Sequence, residues 1–145
     1  MKVIAIIPAR MGSSRFPGKP MAKINGQPMI GMVYQKVIQN KMIKKTVVAT
    51  CDKIIFNYIK SIGGNVIMTS KKHKRASDRS AEALKKIEKK TKEKFDIILM
   101  VQGDEPMLNK EMITESLAPF KKDNNVEVVN FFYKFNNLKE FKDKN

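Results

Sequence analysis

The sequence predicts an α/β fold of three layers, a mostly parallel sheet with helices on both faces, on three observations. Uninterrupted apolar runs at Val3–Ile7 and Ile97–Val101 are bounded by turn residues, as suits strands covered on both faces. Segments with helical spacing of apolar residues alternate with such runs, which calls for right-handed βαβ crossovers. Both runs also empty into loops rich in glycine and charge, and parallel sheets bind ligands beyond the carboxyl ends of their strands.

The elements follow in order. After the first strand and its loop, Ile24-Asn25-Gly26-Gln27-Pro28 reads as a tight turn with Asn-Gly at positive φ, and Pro28 stands where a helix can begin. Met29, Ile30, Val33, Tyr34, Val37 and Ile38 share one helical face. Thr46–Thr50 is the second long strand, and Asp52 is positioned to cap a helix carrying Ile55, Tyr58, Ile59 and Ile62. Gly63-Gly64 stops that helix, and Asn65–Met68 forms a third strand. A polar loop from Thr69 to Ala76 leads to a helix opening at Ser77, with Ser77 or Asp78 as its cap. Asp96–Val101 is the fourth strand; a helix over Lys110–Phe120 and a fifth strand from about Val126 to Phe132 complete the series. No closing element follows from Asn136 to Asn145, so the chain reads as truncated.

Composition bounds the function. At 145 residues the chain fits one domain with a substantial core, and no stretch has the apolar length of a membrane span. The first apolar run contains Pro8 and meets Arg10 at once, unlike a signal peptide, and the single Cys51 fits a reducing compartment, so a cytoplasmic protein without a membrane partner is expected. A formal net charge of +15 raises the question of nucleic acid. The excess is mostly lysine, and the aromatic residues Phe131, Phe132, Tyr133 and Phe135 cluster near the C-terminus instead of interleaving with the basic stretch. A solvated lysine-rich face is the expectation, not a nucleic-acid groove.

Three segments carry chemistry. The first loop offers Gly12, Ser13, Ser14 and Gly18 for close backbone approach and hydroxyl contacts, with Arg10, Arg15 and Lys19 as cationic donors to phosphate oxygens. Lys19 precedes Pro20, not Ser or Thr, and no Gly-x-Gly-x-x-Gly opens a helix, so neither a Walker A loop nor a dinucleotide fingerprint is present. Gln102-Gly103-Asp104-Glu105-Pro106 leaves the fourth strand at the same sheet edge. A carboxylate beside a phosphate loop is what a magnesium-nucleotide complex requires, and Asp104 is the candidate ligand, with Gly103 freeing the backbone to turn it inward and Glu105 facing out before Pro106. The third segment, His73 to Glu82, sets Arg75 and Arg79 one turn apart, able to face one ligand.

Together these segments resemble the cytidylyltransferases that activate 3-deoxy-manno-octulosonate (Kdo), the CMP-Kdo synthetases. The opening motif looks like Ile7-Pro8-Ala9-Arg10 with Ser14-Arg15-Phe16-Pro17-Gly18-Lys19-Pro20, and the most specific is Val101-Gln102-Gly103-Asp104-Glu105-Pro106. In the second motif Arg75, Ala76 and Ser77 stand where the family pattern resembles Ser-Gly-Thr. The resemblance implies a Rossmann-like fold of the nucleotide-diphospho-sugar transferase type. It also implies transfer of CMP from CTP to Kdo with release of pyrophosphate, in lipopolysaccharide biosynthesis. By the same resemblance Mg²⁺ is held by Asp104, and Lys19, Arg10 and Asp104 are catalytic. Ala9, Arg10, Met11, Gly12, Ser13, Ser14, Arg15, Lys19, Gln102, Ser77 and Arg79 bind nucleotide, with Lys19 and Arg15 at the β- and γ-phosphates and Gln102 at cytosine. Residues 1–145 are then the nucleotide-binding part of a single domain whose second half, a sugar-binding and dimerising region with another metal carboxylate, lies outside this chain; the full-length protein is expected to be a homodimer. Alternatives are a cytidylyltransferase for another acidic sugar such as a sialic acid, and a basic nucleic-acid-binding or nucleotide-sensing domain without catalysis.

Overall fold

A computed structural model describes residues 1–12 and 16–131. Strand β1 (Val3–Ala9) is buried along its whole length. A short antiparallel hairpin follows, β2 (Lys23–Ile24) and β3 (Gln27–Pro28), turned by Asn25 at φ 49° and Gly26 at φ 82° as the Asn-Gly pair predicts. Helix α1 (Met29–Ile38) starts directly after Pro28. Then come β4 (Ile43–Thr50), α2 (Lys53–Ser61), β5 (Val66–Met68), α3 (Ala76–Thr91), β6 (Ile97–Met100) and α4 (Lys110–Lys122). Asn109 caps α4, its Oδ1 accepting from the Met112 amide at 2.8 Å.

The main sheet runs β5-β4-β1-β6 with every pair parallel. Alternation along β1 divides the core. Val3, Ala5, Ile7 and Ala9 pack with residues of α1, α2 and α4, including Val33, Ile59 and Leu117. Ile4 and Ile6 pack with Ala83 and Ile87 of α3. Ile4, Ile6 and Ile7 are fully buried, each contributing on the order of 2 kcal/mol to hydrophobic stabilisation. Parallel pairing brings the carboxyl ends of β1 and β4 level, Ala9 opposite Thr50. Every loop leaving those ends therefore emerges on one edge.

Several expectations are corrected. Ile38 is 52% exposed, off the buried face of α1, and Ile62 lies past the end of α2. Asp52 is the N-cap of α2 as expected, but its side chain makes no cap bond; its Oδ2 accepts instead from the Met11 amide at 2.8 Å. Helix α3 begins one residue early, and its N-cap is Arg75, not Ser77 or Asp78. In the described sheet β6 is an edge strand, with Ile98 and Met100 each 42% exposed, so its apolar run is covered on one face only. Residues 126–131 form no strand: the chain turns at Asp123, nothing in 126–131 joins the ladder, and Val128 is 73% exposed. The expected strand's last residue, Phe132, lies outside the described residues, as do Tyr133, Phe135 and 136–145.

Candidate functional site

The loops after β1, β5 and β6 enclose a cleft of about 350 Å³ at the carboxyl edge of the sheet. From the first loop come Arg10, Gly12 and Lys19, beside Ala9 at the strand end; from the third come Gln102, Gly103 and Asp104. Between them stands the segment before and at the start of α3, contributing His73, Lys74, Arg75, Ala76 and Arg79.

Local folding explains how each group arrives. Asp52 holds the Met11 amide, and the Gly18 amide donates to the Met11 carbonyl at 2.9 Å, so both ends of the first loop are tied to one residue. Gly18, at φ 76°, then turns the chain into a single 3-10 turn, Lys19–Met21, that points Lys19 back into the cleft. The third loop depends on Gly103 for a different reason than conformational freedom, since its φ is not positive. A Cβ there would stand 3.0 Å from Ile30 Cδ1 and 3.1 Å from the Pro8 carbonyl oxygen, so glycine permits close approach to β1 and α1. Across the mouth of the cleft Lys19 Nζ donates to Asp104 Oδ2 at 2.7 Å, joining the first and third segments. Both side chains remain partly exposed, which keeps the pair soft and exchangeable.

The middle segment is held more tightly. Arg79 is 3% exposed; its Nη1 donates to Thr69 Oγ1, while Nη2 is buried without a partner among the described residues. Glu82 gathers three donors. Its Oε2 accepts from the Ser70 amide at 2.9 Å and pairs with His73 Nε2, and Lys86 Nζ lies 2.7 Å from Oε1. The Lys86 ammonium, followed by the Ser70 amide and His73, outweighs desolvation and lowers the Glu82 pKa to about 2. An ionised carboxylate only accepts, so His73 Nε2 carries its proton toward Glu82.

Of the residues singled out in the sequence, Ala9, Arg10, Gly12, Lys19, Gln102, Asp104 and Arg79 converge here. Met11 and Ser77 do not: Met11 packs against the core, and Ser77 is exposed on the first turn of α3, away from the cleft lining. Ser13, Ser14 and Arg15 lie outside the described residues. Glu105 is exposed and outside the lining, as expected from its place before Pro106. Sequence reasoning left His73 and Lys74 out of the binding set; the signal was their loop, which follows a strand of the same parallel sheet and must exit at the same edge.

Among the described residues no three of His, Cys, Asp or Glu come together, which argues against an all-protein metal cage. Asp104 offers one hard carboxylate between cationic groups, consistent with Mg²⁺ that keeps water and substrate phosphate as its other ligands.

The cytidylyltransferase family profile matches residues 4–145. The chain belongs to the cytidylyltransferase family. It is 44% identical over 120 residues to 3-deoxy-manno-octulosonate cytidylyltransferase of Trichlorobacter lovleyi, a match covering 83% of this chain and 45% of that protein. With the protein of the same name from Syntrophotalea carbinolica it is 39% identical over 145 residues, 100% of this chain and 56% of the other. Among known structures it is similar to CMP:2-keto-3-deoxy-manno-octonic acid synthetase complexed with CTP, with a TM-score of 0.79 and 36% identity over 87% of this chain and 50% of that one. This cytidylyltransferase chain thus spans about half the length of the curated relatives it matches, and its sheet and helices form the α/β nucleotidyltransferase fold.

Proposed function

We propose that the cleft binds CTP together with Mg²⁺, and that these residues are the nucleotide-binding part of an enzyme that transfers CMP from CTP to Kdo. The observation that carries this reading is the convergence of Arg10, Lys19, Gln102 and Asp104 around one cleft at the carboxyl edge of the sheet. The names of the similar proteins supply the substrate class. In the reaction a sugar hydroxyl oxygen forms a bond to the α-phosphorus of CTP and releases its proton to solvent, the α–β bridging bond breaks, and pyrophosphate leaves. The nucleophile belongs to the sugar, so the protein's task is orientation and neutralisation of charge on phosphate oxygens.

Arg10 and Lys19 are suited to the triphosphate, Lys19 exchanging its bond to Asp104 for phosphate oxygens once nucleotide arrives. Arg15 belongs to the same loop and is proposed for the same task. Gln102, exposed at the cleft, has both a donor and an acceptor for the edge of cytosine. Asp104 would hold Mg²⁺, which when bound supplies Lewis-acid polarisation and charge neutralisation at phosphate oxygens. The same reading extends to lipopolysaccharide biosynthesis in the cytoplasm and to a homodimer of the full-length enzyme. Among the described residues no helix is long and apolar enough to cross a membrane.

Calorimetric titration with CTP, UTP, ATP and GTP in the presence of Mg²⁺ tests the reading. CTP is expected to bind tightest; equal affinities, or tighter ATP, reject the cytosine assignment. Turnover with a sialic acid in place of Kdo, supported by the longer enzyme, would move the proposal to another acidic sugar.

A further inference from the structure

Glu82 stands apart from the other charged residues of α3. It does not line the cleft, yet its single carboxylate holds two groups of the segment that does and a third on its own helix. It fixes the Ser70 amide at the start of the loop and pairs with the His73 ring, which lines the cleft. On the helix side it pairs with Lys86, one turn on. The Ser70 hydroxyl extends the order, accepting from the Lys72 amide at 3.1 Å. A neighbouring tie reaches the loop from the same helix, because Arg79 Nη1 donates to Thr69 Oγ1. By contrast Glu88, also on α3, pairs with Lys94 and the Phe95 amide, beyond the far end of the helix.

We propose that Glu82 is a positioning residue for nucleotide binding, acting through Ser70 and His73 to fix the loop between β5 and α3 against the cleft; this rests on the nucleotide reading given above. The chemistry demands a carboxylate. Ser70 N–H, His73 Nε2–H and the Lys86 ammonium are all donors, so the group that meets them must accept from three directions. An amide at position 82 keeps one accepting oxygen and introduces an NH₂ facing donors, so at least one tie fails although the side chain keeps its size. His73 is the member that reaches the cleft, which makes the effect of Glu82 on ligand pass through His73.

The test compares wild type, Glu82→Gln, His73→Asn, the double variant and Glu88→Gln, at a temperature where circular dichroism shows all five folded. Two quantities are read: affinity for CTP with Mg²⁺ by calorimetry, and hydrogen exchange of the loop amides without ligand. Glu82→Gln is expected to weaken CTP about tenfold and to speed Ser70 amide exchange by a similar factor, as loss of a charge-assisted hydrogen bond implies. His73→Asn should weaken CTP as well, and the double variant should be no worse than Glu82→Gln alone, because the two act in series. Glu88→Gln should match wild type in both readouts. Wild-type affinity in Glu82→Gln, unchanged Ser70 exchange, or additive losses in the double variant each overturn the positioning role and leave the nucleotide reading standing. A wild-type protein that binds none of the four nucleoside triphosphates overturns the nucleotide reading, and the positioning role with it.

Discussion

Lys19 and Asp104 neutralise each other across the cleft at 2.7 Å, and each is assigned to a different part of an incoming metal-nucleotide complex. Because the pair is partly exposed, breaking it changes stability by less than about 1 kcal/mol. Asp104→Asn should therefore leave the urea midpoint of the free protein nearly unchanged while abolishing the gain in CTP affinity that Mg²⁺ gives. If Mg²⁺ improves CTP binding equally in the variant and in wild type, Asp104 is not the metal ligand. Glu82 makes a pH-dependent prediction of its own. Its pKa falls from 4.5 to about 2 on folding, so its contribution to stability is complete above pH 4.5 and disappears as pH drops through about 2. The facing charged or titratable groups are His73 on the loop and Lys86 on the helix. Denaturation of wild type and Glu82→Gln at a series of pH values should show a stability gap at neutrality that closes in acid; a gap independent of pH would remove the carboxylate charge as its cause. At this scale the place of Asp104 at the cleft was legible in the sequence, because a carboxylate directly after a strand of a parallel sheet emerges at the carboxyl edge. Asp52 stands at the N-cap of α2 as its place suggested, but its side-chain bond was not foreseeable, because a carboxylate that caps a helix and one that holds a distant loop look alike until the partner, Met11, is brought beside it by strand pairing.

Among the elements, the turn from β6 into the third loop is closely packed at Gly103. Gly103→Ala puts a methyl group 3.0 Å from Ile30 Cδ1 and 3.1 Å from the Pro8 carbonyl oxygen. The isoleucine terminus can swing aside but the strand carbonyl cannot, so a destabilisation of about 1–3 kcal/mol is expected, as for overpacked cores, with weaker Mg²⁺-CTP binding because Asp104 is carried along. Gly12→Ala offers the contrast: among the described residues a Cβ there meets nothing within 4 Å, and stability should change by less than about 0.5 kcal/mol. Equal urea midpoints for the two variants would contradict the close-approach role of Gly103. The existence and order of the elements were readable from periodicity, and so were the stops at Asn25-Gly26 and Gly63, where positive φ is required. Which strand lies at the edge was not. Ile97–Met100 is as apolar as a central strand, and only sheet order reveals that Ile98 and Met100 look outward. In Val126–Phe131 β-propensity marks residues that suit a ladder, but none of them joins one.

On the whole molecule, the parallel sheet dictates that three sequence-distant segments share one cleft, which is why the fold class and the rough site could be inferred together. The +15 charge decides less. Most of the described lysines are exposed and lie outside the cleft lining, spread over many elements, whereas the cleft gathers Arg10, Lys19, Lys74, Arg75 and Arg79 near a single carboxylate, Asp104. Nucleotide binding and turnover should therefore separate in this chain. On the proposed reading, binding needs cations, hydrogen-bonding groups and a carboxylate for the metal, and the cleft offers Arg10, Lys19, Gln102 and Asp104 for these tasks; attack on the α-phosphorus also needs a sugar held in line and charge compensation around the whole phosphoryl group. Among the described residues the cleft lining holds no carboxylate other than Asp104, and the chain matches about half the length of its relatives. CTP at about 100 times its dissociation constant should stabilise the 145-residue protein by about 2.7 kcal/mol through mass action, visible as a rise in melting temperature. Pyrophosphate release from CTP and Kdo, measured on the same sample beside a full-length relative, should fall orders of magnitude below it. Turnover equal to the relative's would mean that these residues already contain every group the reaction requires, and the division between binding and chemistry drawn here would fall.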